Sequence, residues 1–402
     1  MITGIEEKVH PEKWKIAPHV NKLETSIIRE ILKFSSQPGV LSFAGGLPAP
    51  EMFPIAELKT ICTEVLEKYD HNATQYSLSR GIVPLRELLA KRATERGTPS
   101  TVENILITSG SQQGIELVAR AFIDPGDYIL TENPTYLGAL QAFNYYQARY
   151  CTVPMDGDGM LVDQVAETIE KYKPKLIYSV SNFQNPTGVT MSVERRKKLV
   201  QVAASYDIPI IDDNPYGDIR FAGERVPTLK SFGGDEVIAL RTFSKTVAPG
   251  FRIGWMNGPN SIIAQFEKVK QCADLHTSTF NQYVMYEFVN RGLLETHVEK
   301  IKADYLLKRD TMLEAMRQHF PKEITWTEPE GGLFLWVTLP EGMSAKDLFN
   351  KAIDLKVAYV YGSPFFPNGG GDNTLRLNFS NTTLDGIKDG IQRLGKLFSE
   401  NM

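Results

Sequence analysis

The order of apolar and polar runs predicts an α/β protein: a large domain on a mainly parallel sheet with covering helices, then a smaller α+β domain. Three observations carry that expectation. Buried-strand patterns alternate with helical ones through the middle of the chain, and the turns after those strands hold the unusual residues. After about residue 259 the pattern changes to long charged helices and hairpin-like strands.

In chain order, residues 26–33 place Ile27, Ile28, Ile31 and Leu32 at helical spacing behind a Thr25 or Ser26 cap, with Arg29 on that helix. Residues 40–48 run from an extended segment into the turn Gly45-Gly46, where backbone can approach a ligand closely. A polar loop, 76–81, precedes a strong helix over 83–96. The apolar run 104–108 reads as a buried strand, followed by Ser109-Gly110-Ser111-Gln112-Gln113-Gly114 and a helix striped by Ile115, Val118, Ala119 and Phe122. A strand, a small-residue turn and a helix start gather free backbone N–H groups at one point, which suits a phosphate.

Strand and helix patterns then alternate over 128–130, 136–146, 176–179, 193–205, 208–211 and 237–240. Ligands of such sheets sit at the carboxyl ends of the strands. Five turns therefore converge on one crevice: the one at 109–114, Asn133 to Tyr136, Asn182 to Gly188, Asp212 to Tyr216, and the stretch around Lys245. The remaining helices are expected at 261–275 and 293–319, and the remaining strands at 332–339, 357–361 and 374–380. Domain boundaries follow at 1–48 for an N-terminal segment joining the small domain, 49–290 for the large domain and 291–402 for the small one.

The 402 residues are 42% hydrophobic and 23% charged, an ordinary globular composition. Forty-four basic against 48 acidic side chains leave a net charge of -4, which argues against nucleic acid or an anionic membrane as partner. Cys62, Cys151 and Cys272 lie far apart without a CxxC, which suits a reducing compartment. Residues 1–22 have no apolar core of a secretory signal, and the apolar run 357–371 is cut by Pro364, Pro367 and glycines; a cytoplasmic location is the default. The six histidines show no metal-ligand spacing, and Gly-x-Gly-x-x-Gly and phosphate-loop motifs are missing.

The chemistry centres on Lys245, set between Ser244 and Thr246 just beyond the apolar run 237–240, with Arg252 seven residues on. A buried lysine loses its proton more readily, and a neutral amine attacks an aldehyde. Thr242, Ser244 and Arg252 together suit a phosphate monoester. Pyridoxal phosphate has both an aldehyde and a phosphate, although a surface Ser-Lys-Thr loop accounts for this stretch alone equally well. On the same hypothesis Asp213, at a strand end, holds the proton of a ring nitrogen. Asn185 and Tyr216 hydrogen-bond the ring's phenolic oxygen, and Tyr136 stacks on its face. An Asx turn at Asp212-Asp213 and a core role for Tyr136 are the plainer alternatives.

Taken together, Ser181-Asn-Phe-Gln-Asn185-Pro-Thr-Gly188, Asp213-x-x-Tyr216, Ser244-Lys245 with Arg252, and Arg376 within Leu375 to Ser380 resemble the aspartate-aminotransferase fold of pyridoxal-phosphate enzymes. Leu41-Ser-Phe-Ala-Gly-Gly-Leu-Pro-Ala-Pro-Glu-Met-Phe-Pro54 and Ser109-Gly-Ser-Gln-Gln113 are similar to its 2-aminoadipate and kynurenine aminotransferase branch. The resemblance runs from about residue 26 to near the C-terminus. It implies fold type I, with a mainly parallel seven-stranded sheet in the large domain, and pyridoxal 5′-phosphate as cofactor. Lys245 is implied to carry the cofactor and shuttle the α-proton, with Asp213 and Tyr216 beside it. Gly110, Ser111, Gln112, Thr242, Ser244 and Arg252 are implied at the phosphate, and Tyr76 reaches it from the second subunit of a homodimer. Thr242 stands where the family often has serine and keeps the hydroxyl. Arg376, Asn185 and the backbone of Gly46 are implied at the substrate α-carboxylate.

Arg29, in Ile28-Arg29-Glu30, resembles the branch's arginine for the distal carboxylate of acidic substrates; a solvated helix face with a repelling Lys33 is the competing reading. The expected activity is transfer of the amino group of a 2-aminoadipate-like, aromatic or branched-chain L-amino acid to 2-oxoglutarate by a ping-pong cycle. A pyridoxal-phosphate lyase on the same scaffold is the alternative. A ligand-sensing regulator of this fold needs an added basic winged-helix segment, and about 25 residues precede Ser26.

Overall fold

A computed structural model describes residues 14–23, 31 and 38–402 of the chain. Arg29, and most of the helix expected over 26–33, lie outside the described residues. A two-residue strand, β1 (Leu41–Ser42), comes first. The chain then builds a large sheet from β2 (Ile105–Thr108), β3 (Tyr128–Asn133), β4 (Arg149–Asp156), β5 (Gly159–Met160), β6 (Leu176–Ser179), β7 (Ile210–Asp213), β8 (Val237–Thr242) and β9 (Gly254–Asn257). Beyond it come β10 (Thr325–Trp326), β11 (Phe334–Thr338), β12 (Val357–Ala358), β13 (Val360–Tyr361) and β14 (Thr374–Asn378).

The large sheet runs in the order β2-β9-β8-β7-β6-β3-β4-β5. Strands β4, β3, β6, β7 and β8 pair in parallel, while β9 lies antiparallel between β8 and β2. The sheet therefore has eight strands rather than the expected seven; the addition is β5, a two-residue return that pairs antiparallel with the end of β4. Strands β2, β6 and β7 are buried throughout, the pattern of a sheet covered on both faces. The helix Ser111–Phe122 packs against β8 and β9, and the helix Asn260–Gln271 packs on it in turn. The change of pattern near residue 259 is therefore a change of composition within the same packed unit.

The second unit holds the antiparallel sheet β10-β11-β14-β13 and the helices Leu293–His319 and Leu384–Ser399, which pack on each other. Strand β1 joins it by pairing in parallel with β12, and the Phe43 N–H donates to the Ala358 carbonyl at 2.8 Å. Residues 43–47 thus run between the second unit and the carboxyl ends of the large sheet. Among the described residues, no helix is long and apolar enough to cross a membrane, and no cluster of His, Cys, Asp and Glu is arranged to hold a metal ion.

Candidate active site

The carboxyl ends of β6, β7 and β8 open on a cavity of about 270 Å³. Of the residues singled out in the sequence, Gly46, Ser111, Gln112, Tyr136, Asn185, Asp213, Tyr216, Thr242, Ser244, Lys245, Arg252 and Arg376 line it. Gly110 sits one step outside, directly under Arg252. Tyr76 is not part of this wall: it is 80% exposed, with its ring edge-on to His276 at 5.7 Å.

Lys245 follows β8 at the cavity floor, and its Nζ donates to the Gly46 carbonyl at 2.7 Å. Burial, reinforced by the nearby Arg376 and Arg252 guanidinium groups, pulls its pKa down to about 8. At pH 7 roughly a tenth of the amine is then neutral, against well under a thousandth for a solvated lysine. Because only the neutral amine attacks an aldehyde, covalent capture of the cofactor by the apoprotein is expected to speed up about tenfold per pH unit and to level off above about pH 8. Stopped-flow absorbance across pH 6 to 10 checks this; a rise continuing to pH 10 contradicts it.

Asp213 closes β7 and is 2% exposed. Its Oδ2 accepts the Tyr178 hydroxyl at 2.7 Å, while Oδ1 is buried without a partner. Burial, with the Asp212 and Glu132 carboxylates nearby, pushes its pKa up to about 7, against the opposing pull of Tyr178 and Arg241. A carboxyl in that state favours a cationic N–H donor at Oδ1.

A cup of donors faces it from the other end. Gly110, at φ 78°, caps the helix Ser111–Phe122, and a Cβ there would sit 2.5 Å from Arg252 Nη2. Only glycine allows that approach. Arg252 donates from Nη2 to the Ser109 carbonyl at 3.1 Å and from Nη1 to Ser244 Oγ at 3.4 Å. Thr242 Oγ1 donates to Ser244 Oγ at 2.9 Å, so this threonine positions the serine hydroxyl. Helix N–H groups, two hydroxyls and a guanidinium in one cup suit a phosphate dianion.

Arg376 lies in the middle of β14 and is 1% exposed. Its Nη1 donates to Asn185 Oδ1 and its Nη2 to the Ala44 carbonyl, both at 2.7 Å, and Nε is left without a partner. The guanidinium packs over the rings of Phe334 at 4.2 Å and Phe365 at 5.3 Å. Burial draws its pKa down to about 10. A buried cation held by neutral groups alone lacks the anion that offsets its desolvation. Burial also pushes the Tyr136 phenol up to about 12 and the Tyr216 phenol higher still, so both are protonated donors at neutral pH.

Sequence reasoning missed the groups that support this set. Tyr178 fixes Asp213, and the buried Glu132 accepts from Ser179 Oγ, the Val180 N–H and Gln184 Nε2. Gln184 also donates to the Pro134 carbonyl at 2.8 Å, tying together the two turns that carry Asn185 and Tyr136. A buried tyrosine in a strand requires a hydroxyl partner, and that was the available signal for Tyr178.

An activated lysine, a strand-end carboxyl with one free oxygen and a phosphate cup, set around a cavity of this size on a parallel sheet, fit pyridoxal 5′-phosphate. They define a pyridoxal-phosphate enzyme of fold type I. The family model described as aminotransferase class I and II matches residues 55–394, and the chain belongs to that family. It is 45% identical over 387 residues to aromatic-amino-acid aminotransferase 1 of Thermococcus litoralis, covering 94% of this chain and 93% of that protein. It is similar to the crystal structure of Pyrococcus horikoshii kynurenine aminotransferase, solved with PMP, KYN as substrates and KYA as products: TM-score 0.93, 42% identity, covering 96% of this chain and 97% of that one. It is also similar to the alpha-aminoadipate aminotransferase of Thermus thermophilus, complexed with N-(5'-phosphopyridoxyl)-L-leucine: TM-score 0.90, 37% identity, covering 96% and 97%. The chain is thus a pyridoxal-phosphate-dependent aminotransferase acting on amino and oxo acids.

Proposed function

We propose that the enzyme transfers the amino group of a 2-aminoadipate-like, aromatic or branched-chain L-amino acid to 2-oxoglutarate in a ping-pong cycle. The observation that carries this reading is Arg376, a fully buried guanidinium without a carboxylate, in the same cavity as the Lys245 amine. An α-carboxylate supplies the missing anion and sets the α-carbon beside the base. The three relatives named above, with aromatic, kynurenine and aminoadipate donors in their names, support a broad donor range.

When bound, pyridoxal 5′-phosphate supplies an aldehyde and an electron-withdrawing ring that takes up the electron pair released at the substrate α-carbon. The chain's residues do the rest. Ser111, Ser244 and Arg252, with Gln112, Thr242 and Gly110 shaping the cup, hold the phosphate. Asp213 Oδ1 holds the proton on the ring nitrogen, and the Tyr216 hydroxyl and Asn185 amide donate toward the phenolic oxygen. Tyr136 covers one ring face. Arg376 and Asn185 orient the substrate, and Lys245 Nζ takes the α-proton and would return it to the carbon on the far side of the amino nitrogen.

Tyr76, exposed on the single chain, fits a homodimer in which each subunit completes the other's phosphate site. Arg29 is proposed to meet the side-chain carboxylate of acidic donors. The reading is tested by mixing holoenzyme with 2-oxoglutarate and L-2-aminoadipate, L-phenylalanine, L-kynurenine or L-leucine in turn. Parallel double-reciprocal plots and one glutamate per oxo acid support it; release of ammonia or carbon dioxide without glutamate contradicts it.

A further inference from the structure

On the opposite face of the large sheet lies a second chamber, of about 80 Å³. Successive strand side chains alternate between faces, so Thr242 lines the cofactor cavity while Arg241, its neighbour on β8, lines this chamber. Four arginines, Arg92, Arg96, Arg225 and Arg241, and Lys230 share the wall with a single carboxylate, Asp218.

That charge is only partly neutralised. Arg96 pairs with Asp218 at 2.6 Å, and Arg92 pairs with Glu295. Lys230 Nζ donates to two carbonyls, of Gly234 at 2.8 Å and Val237 at 2.7 Å. Among the described residues the guanidinium groups of Arg225 and Arg241 have no hydrogen-bond or ion-pair partner at contact distance; both feel the longer-range attraction of Asp218, which Arg96 already pairs. Three buried amides complete the lining; Asn182 has both groups tied, whereas Asn214 and Asn257 each have one tied and one free. Asn214, 3% exposed, accepts the Gly217 N–H at 2.8 Å and leaves Nδ2 without a partner. Asn257, 4% exposed, donates to Ser100 Oγ at 2.9 Å and leaves Oδ1 without one. Buried amides are seldom left so.

The free groups are therefore two guanidinium forks, one N–H donor and one acceptor. Phosphate-type oxygens match the donors, and a P–OH or a neighbouring hydroxyl matches the acceptor. An adjoining cleft of about 290 Å³, shared through Arg92, Arg96, Asp218 and Arg225, leaves room for a tail. We propose that this chamber binds a small phosphate-class anion, either inorganic phosphate or the head of a short hydroxylated phosphomonoester, at a site separate from the cofactor's.

Equilibrium dialysis of the holoenzyme tests this, with radiolabelled inorganic phosphate in one arm and glycerol 3-phosphate in the other, at matched chloride. Cofactor absorbance is followed throughout, so that the cofactor's own phosphate cup stays filled. About one equivalent per chain is expected, weakened at least tenfold in Arg241→Gln. Arg225→Gln, on the exposed rim, is expected to weaken it as well and serves if the first variant does not fold. Tighter inorganic phosphate identifies the free ion, and tighter glycerol 3-phosphate identifies the monoester. Saturable binding of neither ligand, or binding unchanged in both variants, overturns the proposal. Transamination is measured separately, so either result leaves the amino-transfer reading to its own test.

Discussion

Lys245→Ala is expected to lower kcat by at least about 10⁴-fold, the upper end of what one acid–base group contributes, because the same amine captures the cofactor and moves the α-proton. Its position explains the size of the effect. Nζ is held on the Gly46 carbonyl at 2.7 Å, between the guanidinium groups of Arg252 and Arg376. The other polar side chains lining this cavity are carboxyl, phenol, hydroxyl, amide and guanidinium, so none offers a neutral amine of lowered pKa in its place. The variant is still expected to bind the cofactor non-covalently, since the phosphate cup is built from Ser111, Ser244 and Arg252. Steady-state rates and denaturing mass spectrometry after borohydride reduction check both parts. A variant retaining a tenth of wild-type activity, or a reduced adduct on another lysine, contradicts the assignment.

Asp213→Asn is expected to cost about 10²- to 10⁴-fold in kcat while leaving the fold and cofactor content intact. An amide is isosteric, so the Tyr178 contact survives, but it carries no charge to hold a proton on the ring nitrogen. The buried carboxyl, its pKa raised to about 7 with Oδ1 unpartnered, becomes a carboxylate once a cation faces Oδ1. Asp213→Glu is expected to restore part of the loss, because the charge returns at a shifted position. Tyr178→Phe removes only one hydrogen bond and is expected to have a smaller effect. Equal kcat in the Asn variant and the wild type contradicts the role.

Most residues lining the cavity were legible because they lie in or beside turns of unusual composition, such as Asn185 before Pro186 or Lys245 between hydroxyls, whereas Arg376, in the middle of β14, was legible only through the resemblance of the motif around it. Helices with a clean stripe or strong charge pattern, Leu293–His319 and Val193–Ser205, were legible for the same local reason. The helix Thr279–Asn290 was not. It buries Gln282 and Glu287 alongside Val284, Met285 and Phe288, so polar and apolar positions no longer separate by face. Strand β4 contains Pro154, which reads as a breaker, yet it forms a long parallel pair with β3 on one side and meets only the short β5 on the other. Strand β9 is antiparallel because the chain turns straight back from the Lys245 loop, and no local pattern announces that. Tyr178, Glu132 and the chamber around Arg241 depend on which strands become neighbours, and that is fixed only by the assembled sheet.

The central claim is that one cavity both activates Lys245 and seats an amino acid's α-carboxylate on Arg376. The most direct measurement is the absorbance of the yellow holoenzyme titrated with L-2-aminoadipate or L-phenylalanine up to a large excess and with no oxo acid added, compared with Arg376→Gln. The expected result is loss of the yellow band, with one oxo acid released and pyridoxamine phosphate recovered per site, at an apparent donor affinity at least tenfold weaker in the variant. A wild-type band that no donor converts, or donor affinity unchanged without Arg376, would contradict it.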